Sequence, residues 1–468
     1  MRTSSTNRDD SRLSLWLRVR EFAVPPSMIE TATARREVGD WAGACAAAGF
    51  DVDIDLRSLT RRYGRGLAAR VRADLRHLAP DLLRWHMPRI APDGLLRPGL
   101  TMALAGYRTA DCGSHCGSAD SVYLVVRTAP AWADAGQRIS LALWDGSISG
   151  PGADLHPHPR PDRRFRLDLH RHLWDASRSD ELWIRSGAAQ FDNAVSDPTW
   201  SELVPHGCAI DRWAAEAGIL LHAHGRRAGP VLVRCGARRR IVVDVAAPED
   251  DSPLLRIGVA PPRSGMSALP VLPDAATWVL PDLELIRAGA ITADRLHPLV
   301  ASACGWDRAR PVSAPTADSA GRPHLVECRG ELHRIGLVNG VLAALDHDPA
   351  EVRREELLVA LTGTPLPCLQ AIDQAHRHPD CLAGVSERLA HGDTAGALAI
   401  VEGLLGPDAL LRAGALRDEL EASAQRRIDY GLFRAGLTTP ALVPIPGRDH
   451  SRRRRSGVRA HPRNAAFR

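Results

Sequence analysis

A chain of 468 residues without one lysine, its 60 basic side chains all arginine, cannot run chemistry that needs a titratable ammonium. That excludes the P-loop lysine, the lysine of protein kinases, Schiff-base and pyridoxal nucleophiles, Ser-x-x-Lys acyl enzymes and metal sites bridged by carboxylated lysine. The formal charge of +5 belongs to one end: residues 447–468 hold eight arginines against Asp449, so the other 446 residues sum to −2 and the body is no polyanion binder by charge alone.

Residues 1–12 are polar and expected to be disordered. A helical region opens after Pro25-Pro26, where Ser27 and Glu30 have the spacing of a capping box; Gly39 ends that helix, Asp40 caps the next and Gly49 ends it. A longer helix is predicted over about Leu56 to Trp85, which makes residues 13–100 a helical domain. Residues 101–262 read as an α+β domain with mostly antiparallel pairing. Val122 to Val126 and Ile139 to Trp144 are strand-like, Trp213 to Leu221 reads as a helix running into a strand, and Val231 to Cys235 pairs with Ile241 to Val245 across an arginine turn. Residues 263–345 form a small β-containing region with linkers. It ends in a meander of His324 to Cys328, His333 to Val338 and Val341 to Leu345, with a hairpin turn at Asn339-Gly340. Asp348-Pro349, with Glu351 three residues after the aspartate, opens a second helical domain over 346–440, and 441–468 is an arginine-rich tail expected to be disordered. The fold class is therefore multidomain α+β: an N-terminal helical block, a central mostly antiparallel region and a C-terminal helical block.

The H-x-H pairs His156/His158, His170/His172 and His222/His224 are the best enzymatic signal. On a strand the period of two puts both imidazoles on one face, within reach of one metal ion. His222 and His224 are the stronger pair, because Gly218 to Gly225 superficially resembles the first metal-ligand strand of amidohydrolases, although a turn follows where that family has a helix. His156 and His158 sit in a proline-rich loop, and His170-Arg171-His172 follows an arginine-rich stretch that suggests surface exposure. Cys112, His115 and Cys116 offer soft ligands without a second pair at zinc-site spacing. Asp51, Asp53 and Asp55 read as solvent-facing carboxylates, Asp55 capping a helix. The nine cysteines read as reduced thiols, and no cofactor or metal is expected. No G-x-S-x-G, G-x-G-x-x-G, Walker or H-E-x-x-H motif occurs.

Gly39-Asp40-Trp41-Ala42-Gly43-Ala44 recurs as Gly392-Asp393-Thr394-Ala395-Gly396-Ala397, which predicts two tight helical hairpins and resembles the inter-helix turn of tetratricopeptide repeats. Arg452, Arg453, Arg454, Arg455 and Arg459 suit a polyanion or an acidic protein surface, and the lone aromatic Phe467 leaves base stacking nearly absent. From Ser14 to Pro26, through His333 to Leu337, to Tyr430 to Arg434, the chain resembles a family of proteins of high-GC actinobacteria with no assigned activity. That resemblance implies a protein partner, a MoxR-type AAA+ ATPase. No secretory leader is expected in the polar residues 1–12 and the Arg-interrupted run that follows, no run approaches the ~18 apolar residues of a membrane span, and a cytoplasmic protein without membrane contact is expected. The reading is a non-catalytic scaffold or regulatory protein. The alternatives are a metal-dependent hydrolase using His222 and His224 and a non-specific nucleic-acid-associated protein.

Overall fold

The computed structural model describes residues 3–108, 121–133, 136–146, 156–188, 200, 204–236, 239–246, 255–257, 266, 268–306, 324–363 and 365–437. They belong to two compact units, Met1–Pro311 with Leu432–Arg468, and Val312–Gly431. The fold is α+β, as expected, and no described helix is long and apolar enough to cross a membrane.

The first unit opens with α1 (Thr3–Arg18), which continues as a wide π turn over Val19–Ala23. Residues 3–12 are thus helical rather than disordered, since Val19, packed with Trp85 and Leu285, and the buried Leu15 anchor the helix that continues from them. In α2 (Pro26–Glu37) Pro25 is the N-cap and no side chain caps it, so the Ser27 capping box does not form: Pro26 presets the first turn and takes Ser27 inside. Then come α3 (Trp41–Ala47), capped by Asp40, and β1 (Phe50–Asp53). The predicted long helix is broken twice: α4 (Leu56–His77) kinks at Gly64, whose φ of 84° is not helical, and α5 (Pro80–His86) starts anew because Pro80 has no N–H to continue the first and its ring clashes with the preceding turn.

β1 corrects the picture of a separate helical block. After the small hairpin β2 (Arg89–Ile90) and β3 (Leu95–Leu96) come β4 (Thr101–Arg108), β5 (Ser121–Thr128) and β6 (Ile139–Trp144). They form a sheet of order β1-β6-β5-β4 in which β1 runs parallel to β6 and the other pairs are antiparallel. Helices and sheet share one core that includes Leu75, Leu82, Met102, Leu124 and Trp174, so residues 13–100 and the central region fold as one body. Four-residue α6 (Leu182–Arg185) leads toward α7 (Ile210–Ala223), which buries Trp213, Ala217 and Leu221 on the sheet β7 (Gly229–Cys235), β8 (Arg239–Val245) and β9 (Leu255–Ile257). Short helices α8 (Asp274–Thr277), α9 (Pro281–Arg287) and α10 (Pro298–Ala303) complete it.

The second unit starts with the meander β10 (His324–Cys328), β11 (Glu331–Val338) and β12 (Val341–Ala344). Asn339 and Gly340 both have positive φ, 50° and 76°, as a type I′ hairpin requires. Arg329 and Gly330, at 57° and 88°, make the same turn one hairpin earlier. Five helices follow: α11 (Pro349–Thr362), α12 (Pro367–Arg377), α13 (Leu382–His391), α14 (Thr394–Leu405) and α15 (Ala415–Arg434). Because Leu342 packs with both Val326 and Val385, meander and helices are one unit, and the division falls at 311/312 rather than at 346. A Cβ on Gly406 would overlap the carbonyl of Gly340, so the hairpin tip seats on the end of α14 only because residue 406 has no side chain.

Candidate functional site

The histidine pairs do not build a metal site. Residues 210–223 are helical, which overturns the strand reading of His222 and His224: on a helix residues two apart point about 200° apart, and both histidines are exposed. His224 Nδ1 lies 2.8 Å from the carbonyl of Leu220. With Arg163, Arg166 and Leu269 it lines a cavity of about 120 Å³, well below the several hundred Å³ of a substrate pocket. His156 is buried with Nε2 3.0 Å from Thr128 O, while Nδ1 accepts the His158 N–H. Burial pushes its imidazole down to about 4. Cys112, His115 and Cys116, and the tail residues Arg452, Arg453, Arg454, Arg455 and Arg459, lie outside the described residues.

His170 and His172, expected on the surface, are buried in consecutive 3-10 turns. Their partner comes from a distant element: His170 Nε2 lies 3.1 Å from Glu216 on α7, and Arg185 donates to both oxygens of that carboxylate at 2.9 and 2.6 Å. Burial raises the Glu216 carboxyl, but the hydrogen bonds from His170 and Arg185 outweigh it and hold the group well below the usual carboxylate range. A second network joins α5, α9 and α10, the first two of which begin Pro-Asp-Leu. His297 Nε2 lies 2.8 Å from Asp81 Oδ2 and Nδ1 accepts the Leu299 N–H; Trp85 Nε1 donates to Asp282 at 2.7 Å. Desolvation lowers His86, beside Asp282, to about 4. Asp81 with His297 and Asp282 with Trp85 are thus paired inside the core, while both ring nitrogens of His86 are buried without a hydrogen-bond partner.

Among the described residues, a three-group cluster with metal-ligand geometry lies in the second unit, on residues that sequence spacing did not bring together. Cys328, His347 and Cys368 place one ligand atom each within 4.8 Å of one another. Cys328 ends β10 at the Arg329-Gly330 turn, whose arginine is pinned to Glu351 and Glu355 of α11 at 2.6 and 2.7 Å. His347 follows β12, and Cys368 is the second residue of α12. Both cysteines are fully buried among Ile335, Ile372 and Leu366. Burial and a hydrogen bond with Cys328 push the Cys368 thiol up to about 11. His333 stacks on His347 with ring centroids 4.2 Å apart and planes 10° from parallel. Their order, Cys328-x4-His333-x13-His347-x20-Cys368, contains no short Cys-x-x-Cys pair, and only the pairing of His333 opposite Val326 would have hinted that it shares a face with Cys328.

Comparison with protein-family models, curated proteins and solved structures finds no match.

Proposed function

We propose that the chain is a non-catalytic scaffold or regulatory protein of the cytoplasm whose second unit docks a protein partner. The carrying observation is the outer face of the meander. Strand alternation sends Cys328, Ile335 and Ala344 to the core, yet the opposite face, beside Glu327 and Arg334, also carries four exposed apolar side chains, Leu325, Leu332, Val338 and Val341, with Leu332 at 66%. On α11, Leu357 and Leu358 are exposed as well. A solvent face of a three-stranded meander ordinarily alternates to polar residues, so this composition favours coverage by another protein. The family resemblance suggests a MoxR-type AAA+ ATPase as that partner, and the eight arginines of 447–468 would add attraction to an acidic surface.

The test is binding of the purified chain to the MoxR-type ATPase of the same organism, measured calorimetrically. Leu332→Asp together with Val338→Asp, on the exposed face, should weaken binding by at least about tenfold, or 1.4 kcal/mol, with the fold intact. Equal affinity of this variant and the parent chain would remove the meander from the interface.

A further inference from the structure

Independently of that docking reading, we propose that Cys328, His347 and Cys368 hold a structural zinc ion, with His333 as the fourth ligand. The donor set is the first reason. Two sulfurs and imidazole nitrogen are the soft and borderline ligands that select zinc over magnesium or calcium. Distance is the second. A tetrahedral ion with sulfur at about 2.3 Å and nitrogen at about 2.1 Å needs its ligand atoms roughly 3.7 Å apart. Atoms already within 4.8 Å of one another reach that by closing about 1 Å, a rotamer adjustment.

Unmet hydrogen bonding is the third reason. His347 Nε2 and His333 Nδ1 are both buried with no hydrogen-bond partner, in a core where such groups are costly. Parallel rings cannot aim their lone pairs at one point, so the stack itself is not a coordinated pair. His333 lies diagonally across the ladder from Cys328 on the same face, however, and reaches the fourth corner by leaving the stack. Each thiol gives its proton to solvent as its bond to zinc forms. The ion then ties together the first hairpin, the bend after β12 and the start of α12, adding to a small core of few residues and to the Arg334–Asp346 ion pair that already joins the hairpin to the bend.

The experiment starts from the full chain purified in reductant without chelator. Elemental analysis should find about one zinc per chain, lost in Cys328→Ser, Cys368→Ser and His347→Ala and retained in Cys208→Ser, whose thiol lies in the first unit. Misfolding of a variant is bypassed on the parent protein: stripped with chelator and refilled with cobalt(II), it should show thiolate charge transfer in the near ultraviolet and the strong visible bands of a tetrahedral ion. Stripping should also reduce helical circular dichroism while tryptophan emission stays fixed, since all eleven tryptophans lie between Trp16 and Trp306. His333→Ala should surrender its zinc to chelator faster than the parent chain. A zinc-free parent chain that takes up no cobalt, or a Cys328 to Cys368 disulfide in anaerobically prepared protein, would overturn the site. Equal retention by His333→Ala would overturn its fourth ligand.

Discussion

In the first unit the carboxylates of Asp81, Glu216 and Asp282 are almost wholly buried, each against a histidine, arginine or tryptophan, whereas in the second unit the arginines of the ion pairs at Arg329, Arg334, Arg377 and Arg417 are about half exposed. Size explains the difference. The first unit has a core large enough to exclude water around Trp85, Trp174 and Trp213, and inside it a charge must be paired and hydrogen-bonded or it costs several kcal/mol. Among the described residues the second unit has two small clusters, so most of its ion pairs stay at the surface, where each is worth little, and its buried polar groups are thiols, imidazoles and the Ser423 hydroxyl. One unit is cross-linked by ion pairs within its interior, and the other has the ligands for a metal.

Breaking one pair in each unit gives the largest contrast. Glu216→Gln removes the buried charge that Arg185 and His170 share, leaves the part-buried Arg185 with its longer 3.7 Å contact to Glu181, and should destabilise the first unit by about 3 kcal/mol in urea unfolding followed by tryptophan emission. Glu421→Gln, which breaks the exposed pair with Arg417 on α15, should cost under about 0.5 kcal/mol in helical circular dichroism. Similar losses in the two variants would mean that burial does not set the value of these pairs.

The same contrast explains what was legible in the sequence. The meander around Asn339-Gly340 and the helix caps at Asp40, Asp55, Asp348 and Asp393 were readable because turns and caps depend on residues within four positions of one another. Both Gly-Asp hexapeptides form the same turn, with each aspartate accepting from the glycine three residues on and paired with the arginine five residues before. The alternation of Asp51 and Asp53 with Val52 has the period of a strand face, but its place in the central sheet was not legible, because its partner β6 lies almost 90 residues away and Arg138, which neutralises Asp51, comes with it. His170 and His172 looked exposed because Glu216, which permits their burial, is on another element. The Cys328, His347 and Cys368 cluster spans 40 residues with irregular gaps, and only the hairpin and the start of α12 bring it together.

Acid should separate the buried ionic core from the rest more gently. The folded state holds His156 near 4 because burial disfavours its charge, and protonation would also take Nδ1 from the His158 N–H. An unfolded chain binds this proton near 6.5, so the contribution is complete above 6.5 and is lost as pH falls toward 4, by up to about 1.4 kcal/mol per pH unit. His156→Gln, which can still donate to Thr128, should flatten the pH dependence of first-unit stability across that window. An unchanged slope would show that His156 is not what titrates.

The smallest effect tests whether the repeated hexapeptide does the same work in both units. A Cβ built on Gly43 overlaps Asp40 Oδ2, and one on Gly396 overlaps Asp393 Oδ2, so an alanine at either position must push the capping carboxylate off the amide it accepts from at 2.8 or 2.9 Å. Losing a cap costs about 0.5 to 2 kcal/mol, against a gain of up to about 1 kcal/mol from alanine's helix propensity. The cap outweighs the propensity once the overlap strains the turn as well, and Gly43→Ala and Gly396→Ala should each destabilise their own unit by about 1 kcal/mol. Gly218 in α7 and Gly403 in α14 meet nothing within 4 Å of a built Cβ, so alanine there should stabilise by about 0.4 to 1 kcal/mol. Opposite signs within each unit, read by tryptophan emission for the first and circular dichroism for the second, would establish the aspartate cap as the reason for the small residue. Stabilisation at Gly43 or Gly396 would mean that the carboxylate swings aside freely and that the hexapeptide is kept for the packing of its helices.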